Sequence, residues 1–173
     1  MSGKTDFWDR HAKIYDRFMR RDAAAYERMY ELLRPVVRRK TVLELATGTG
    51  LIAKHIVNAA AHIEATDASA EMIAEARRDN DSSKLRFSVQ NMFCLPYADK
   101  SFDVVIVSNA LHIVPHPEKA LAEIRRVLKD DGVLVTPQQV DERGIPELPA
   151  AKRLGGAEKR CSESLVPADL CRV

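Results

Sequence analysis

Four residues set the chemistry this chain can do: Glu44, Gly48, Gly50 and Asp67. The two glycines come just after the short, mostly apolar run "TVLEL" (41–45), past Ala46 and Thr47. Glycine takes positive φ at little cost and lets a ligand come close to the backbone. The segment after them, "LIAKHIVNAA" (51–60), has helical spacing, so its start offers unpaired N–H groups. Asp67 lies seventeen residues after Gly50, at the end of the alternating run "HIEATD". A carboxylate there can accept hydrogen bonds from both hydroxyls of a ribose. The spacing describes a nucleoside-binding corner.

Two ligands fit it. "GTGLIA" satisfies G-x-G-x-x-G/A with Ala53 in last place, and Asp67 falls near the distance of a dinucleotide site, which would make the chain an NAD-dependent oxidoreductase. S-adenosylmethionine also brings a ribose, but no pyrophosphate, and its methionine part carries an ammonium. Glu44, inside the end of the first strand, would repel a pyrophosphate and attract an ammonium, so it favours S-adenosylmethionine. Its competing role is a hydrogen bond to the loop backbone.

The elements that must position these residues follow from periodicity. "FWDRHAKIYDRFM" (7–19) carries one apolar stripe, with Thr5 or Asp6 as a cap, and a second amphipathic helix is expected from Ala23 to Val37, with Pro35 disturbing its last turn. Strand and helix patterns then alternate. Strands are expected at 41–46, 62–67, 84–90, 102–110 and 132–137. Helices are expected at 51–60, at 70–80 with Ser69 as cap, and from Pro117 to Leu128 with Ala120, Leu121, Ile124, Val127 and Leu128 facing inward. Such alternation gives an α/β, Rossmann-like, doubly wound and mainly parallel sheet with helices on both faces, and its ligands bind beyond the carboxyl ends of the strands. After Pro137 the strand periodicity stops. We therefore expect residues 1–137 to form the domain, with a helical cap over about 5–39, and 138–173 to form an atypical tail lacking the terminal antiparallel strands. A fifth strand left bare would be a pairing edge, from which a homodimer or poor stability is expected.

Composition excludes several classes. The 173 residues carry 27 basic and 25 acidic side chains, a net charge of +2, with no concentration that calls for nucleic acid. The basic cluster at 34–40 suits the solvated end of a helix. No 18-residue apolar run predicts a membrane span, and the polar N-terminus does not read as a secretory signal. Three scattered cysteines read as free thiols, and no four-ligand metal set is visible. The expected location is cytoplasmic.

The motifs together resemble the class I S-adenosylmethionine-dependent methyltransferases, in the small-molecule branch that includes the ubiquinone and menaquinone C-methyltransferases. "VLELATGTG" resembles the first motif and "IEATDAS" the end of the second strand. "VQNMFCLPYADKSFDVVIVSNALHIV" resembles the long middle segment and "PEKALAEIRRVLKDDGVLV" the helix and strand that follow. The resemblance covers residues 7 to about 137. It implies S-adenosylmethionine as cofactor, held by Glu44, Ala46, Gly48, Gly50, Asp67, Ala68, Asn91, Met92 and Ser108, with Tyr15 in a segment that closes over it. Trp8 is read as structural. Ala46 stands where many members have glycine. Asn91 stands where an aspartate usually meets the adenine amino group, and its side-chain oxygen can still accept that bond.

The acceptor is expected to be a small molecule, because "SNALHIV" replaces the Asn-Pro-Pro-aromatic sequence of enzymes that methylate amino groups of nucleic-acid bases or protein glutamine. Methyl transfer needs chiefly near-attack geometry. Ser108, Asn109 and His112 are the candidates beyond the fourth strand. His112 titrates in a useful range and is the candidate catalytic base. Its competing role, which the sequence favours, is packing beneath the following helix. A competing reading of the whole chain is a fold of this type that binds S-adenosylmethionine or S-adenosylhomocysteine without turnover, having lost its terminal strands.

Overall fold

The computed structural model describes residues 23–137 and 152–153. The segment 7–19, with Tyr15 and Trp8, lies outside the described residues, as does most of the tail. The elements are α1 (Ala23–Val37), β1 (Thr41–Leu45), α2 (Leu51–Ile56), β2 (His62–Asp67), α3 (Ala70–Ala76), β3 (Leu85–Val89), β4 (Phe102–Val107), α4 (Pro117–Val127), β5 (Leu128–Val135) and β6 (Lys152–Arg153). The sheet order is β3-β2-β1-β4-β5-β6, parallel from β3 to β5. The order reverses between β1 and β4, which puts the switch point beside the glycine corner.

Alternation along the strands builds two cores. Val42, Ile63, Ala65, Leu85, Phe87, Val104 and Ile106 face α1, α2 and α3, while Leu43, Leu45, Val105 and Val107 face α4 and the loop after β3. Side chains such as Leu33, Ile56, Ile63, Ile73 and Ile124 are fully buried, each contributing about 1.5–3 kcal/mol. The α1 helix continues through Pro35 to Val37, so the proline is accommodated in the last turn. It packs on α2 through a stacked Tyr30–His55 pair with ring centroids 4.3 Å apart.

Several expectations need correction. The helices at 51–60 and 70–80 are shorter, ending at Ile56 and Ala76. Leu121 is exposed rather than inward-facing, because the buried stripe of α4 is Ala120, Ile124 and Val127. Strand β5 starts at Leu128, directly off α4, with a register shift opposite Phe102 and Val104. The tail is not devoid of strand: Lys152 and Arg153 pair antiparallel with Leu134 and Val133. That short strand pairs with Val133 and Leu134 near the end of β5, so this edge is not wholly bare.

Candidate functional site

The carboxyl ends of β1, β2, β3 and β4 carry the predicted residues in adjacent loops. Asp67 organises the first two. Its Oδ2 accepts from Gly48 N (2.9 Å) and its Oδ1 from Ser69 N (2.9 Å). Ser69 Oγ in turn accepts from Met72 N at 3.1 Å and caps α3, as its position predicts. Thr47 N donates to Thr66 O and Thr66 Oγ1 to Glu44 O, so the corner is tied to β2 along its length. The acid expected at a ribose therefore also holds the glycine loop.

Backbone conformation explains the residue types. Gly48 and Gly50 both have positive φ, 57° and 79°. For Gly50 the first demand is packing: a Cβ there would meet the Phe87 ring at 2.6 Å. Gly50→Ala should cost at least about 2 kcal/mol from combined strain and overpacking, read as a lower urea midpoint. Ala46 also sits at positive φ, 54°. This conformation is strained for any residue with a Cβ, which gives a physical reason for glycine at such a position. Asn109 adopts φ 50°, which asparagine tolerates, and its N–H donates to Pro137 O.

Glu44 is the one charged residue on β1. It is 1% exposed and aligned between Ala65 and Ile106 on the neighbouring strands. Burial pushes its pKa up to about 8. The Thr47 hydroxyl and the Ala53 backbone oppose that shift, and the charge of Asp67 adds to it. Glu44 Oε2 and Thr47 Oγ1 are buried and reach no hydrogen-bond geometry with any group, although the Thr47 hydroxyl lies close enough to the Glu44 carboxyl to favour its charged form. Buried polar atoms are rarely left so. Two of them beside an anion-bearing, glycine-rich corner fit a ligand that brings a donor, and an ammonium suits Glu44 best. Thr47 was not singled out in the sequence. Nothing in its spacing marks it, and only the fold reveals its unpaired hydroxyl.

Of the remaining predicted residues, Ala68 is exposed beside Asp67. Asn91 is exposed and Met92 half-buried in the loop after β3, where Gln90 N donates to Asp67 O at 2.9 Å. Asn91 Oδ1 accepts from Phe93 N at 3.0 Å. Ser108 is half-buried at the end of β4. His112 is exposed, which overturns the expectation that it packs beneath α4. Cys94, expected as a free thiol, is disulfide-bonded. Among the described residues no group of three His, Cys, Asp or Glu side chains could hold a metal, and no helix is long and apolar enough to cross a membrane.

Residues 43–136, more than half of the chain, match the methyltransferase domain family. The chain belongs to that family. Its methyltransferase domain is similar to the demethylmenaquinone methyltransferase of Thermotoga maritima, 35% identical over 78% of this chain and 63% of that protein. It is also similar to the ubiquinone/menaquinone biosynthesis C-methyltransferase of Bartonella henselae, 35% identical over 57% of this chain and 40% of the relative. Among solved structures, a Thermotoga maritima SAM-dependent methyltransferase, described as a "possible histamine N-methyltransferase", superposes with a TM-score of 0.64. It is 25% identical over 78% of this chain and 61% of that one. The chain thus spans less than two thirds of the length of these relatives. The methyltransferase fold expected from the sequence is the observed one, and the matched span contains Glu44, Gly48, Gly50 and Asp67.

Proposed function

We propose that this chain binds S-adenosylmethionine and transfers its methyl group to a small-molecule acceptor. The observation that carries the reading is the buried carboxylate of Glu44, with Oε2 unpaired beside the unpaired Thr47 hydroxyl under the glycine corner. A pyrophosphate would keep Glu44 protonated and gain nothing from it, whereas an ammonium draws out its charge, which disfavours NAD. The names of the relatives point the same way. When bound, the cofactor supplies an electrophilic methyl on a sulfonium.

The chain's own residues do the rest. Glu44, with Thr47, receives the ammonium end. The N–H groups and open backbone of Ala46, Gly48 and Gly50 let the chain of the ligand pass close. Asp67 accepts from the two ribose hydroxyls through the same carboxylate that holds Gly48 N and Ser69 N. A nucleoside held by Asp67 on β2 extends its base toward the loop of the next strand outward, β3. There Asn91 Oδ1 accepts from the adenine amino group, and Ala68 and Met92 border the base. Ser108 borders the site from β4, and Tyr15 belongs to the segment that closes it.

The acceptor side lies beyond β4. Ile113 is 43% exposed, and Leu111 and Val114 are half-exposed next to it. That apolar wall suits an aromatic acceptor such as a hydroquinone. His112, in the same loop and open to solvent, is placed to take a proton from an acceptor hydroxyl as the methyl is transferred. The domain we assign to this work is 1–137, with 138–173 as an appended tail.

The direct test follows methyl-labelled S-adenosylmethionine with demethylated quinols, catechols and histamine as acceptors. Label should move to a small molecule, and His112→Ala should reduce kcat by about 10²-fold or more while cofactor affinity is unchanged. Tight cofactor binding without transfer to any acceptor would favour the non-catalytic reading instead.

A further inference from the structure

The loop between β3 and β4 contains no helix, yet it is held at Leu95, Tyr97 and Asp99 by two side chains of α4. Glu123 Oε2 accepts from Leu95 N at 2.8 Å. Arg126 Nη2 donates to Leu95 O at 2.9 Å, and its Nη1 donates to Tyr97 O at 2.7 Å and to Asp99 Oδ1 at 2.8 Å. The pair is itself bidentate, with Arg126 Nε on Glu123 Oε1 (2.8 Å) and Nη2 on Oε2 (2.9 Å). The rigid guanidinium fork meets two carbonyls and two carboxylates at once, which an ammonium on a flexible stem cannot copy. Each partner holds the other charged: Arg126 lowers the pKa of Glu123, and Glu123 raises that of Arg126.

What this pair holds matters for the site. Leu95 is buried in the second core. It directly follows the turn Asn91–Cys94, which is closed by Cys94 N on Asn91 O at 3.0 Å. The other flank of that turn is fixed by Gln90 N on Asp67 O. Within the turn, Phe93 N on Asn91 Oδ1 fixes which way the amide points and uses one of the two acceptor sites of that oxygen, on a residue that is exposed. The turn is thus suspended between the ribose acid at one end and the α4 pair at the other.

We infer that Glu123 and Arg126 are positioning residues that clamp the base-recognition turn, so that Asn91 Oδ1 selects adenine by its amino group. The inference rests on the cofactor reading above and deepens it. Neither side chain touches the ligand, and both act through Leu95 and the turn before it.

The test is a selectivity measurement. Wild type, Arg126→Lys, Glu123→Gln and Asn91→Ala are titrated calorimetrically with S-adenosylhomocysteine and with S-inosylhomocysteine, in which an oxo group replaces the adenine amino group. Wild type should prefer the adenosyl ligand by about five- to tenfold, the value of one hydrogen bond. Arg126→Lys and Glu123→Gln should reduce that ratio to about twofold or less, chiefly by weakening the adenosyl ligand. Combined with Asn91→Ala, Arg126→Lys should lower the ratio no further, because both changes act on the same contact. A merely structural role would weaken both ligands by the same factor and leave the ratio intact, and that result in folded variants, checked by thermal melting, overturns the inference. Wild type that binds neither ligand overturns the cofactor reading and the clamp with it. Wild type that binds both with equal affinity overturns the role of Asn91, and so the clamp, alone. Should Arg126→Lys fail to fold, Glu123→Gln decides, since it keeps an acceptor for Leu95 N and loses only the charge.

Discussion

Asp67→Ala should lower the affinity for S-adenosylhomocysteine by at least about a hundredfold. Two hydrogen bonds from ribose hydroxyls to a carboxylate are charge-assisted, at about 1.5–3 kcal/mol each. The substitution also strips Gly48 N and Ser69 N of their acceptor, which loosens the glycine loop and costs about 1–3 kcal/mol of stability. The two effects separate with a ligand lacking the 2′ and 3′ hydroxyls. Removing them should weaken binding to the wild type strongly and to Asp67→Ala hardly at all, by isothermal titration. Equal losses in both proteins would show that Asp67 acts on the loop and not on the ribose.

The second large effect belongs to Glu44. Its pKa is raised from 4.5 to about 8 by burial. Between those values the unfolded state has released a proton that the folded state keeps, so stability falls as pH rises from about 4.5 to about 8 and levels off above. The expected loss by pH 7 is about 3 kcal/mol. Glu44→Gln carries no such proton, and its unfolding free energy should stay flat over that window where the wild type declines, measured by urea unfolding at pH 5, 6, 7 and 8. Ligand binding should show the opposite sign. An ammonium beside Glu44 favours the carboxylate, so binding at pH 7 should release close to one proton, seen as a calorimetric enthalpy that changes with the buffer's ionisation enthalpy. Affinity should rise between pH 6 and 7.5, by no more than about tenfold per pH unit, and Glu44→Gln should abolish that rise. A wild-type affinity flat across this range would remove Glu44 from the site.

Much of this was readable before the fold. Glycines two apart after a β-branched run, and an acid ending the next strand, already place Glu44, Gly48, Gly50 and Asp67 at one end of a parallel sheet, because strand ends converge at a switch point. Strand positions were readable because β4 carries the apolar run 104–107, buried on both faces, and β1 is short and apolar apart from Glu44. Helix ends were not: α2 and α3 stop early, since a pattern of apolar spacing does not show where the last hydrogen bond closes. The reason for Gly50 was also hidden, because Phe87 approaches it from a strand 37 positions away. The same holds for the Glu123–Arg126 pair. On a helix it reads as an ordinary surface ion pair, and only the route of the β3–β4 loop across it shows what it holds. The strand at Lys152–Arg153 is two residues long and leaves no periodicity to read.

The most direct measurement is calorimetric titration of the full chain with S-adenosylmethionine, S-adenosylhomocysteine and NAD under one set of conditions at pH 7.5. Binding of the first two at micromolar or tighter affinity, with NAD silent, is the predicted result. Binding of NAD with neither of the others would contradict the assignment of the Glu44 corner to an ammonium-bearing ligand.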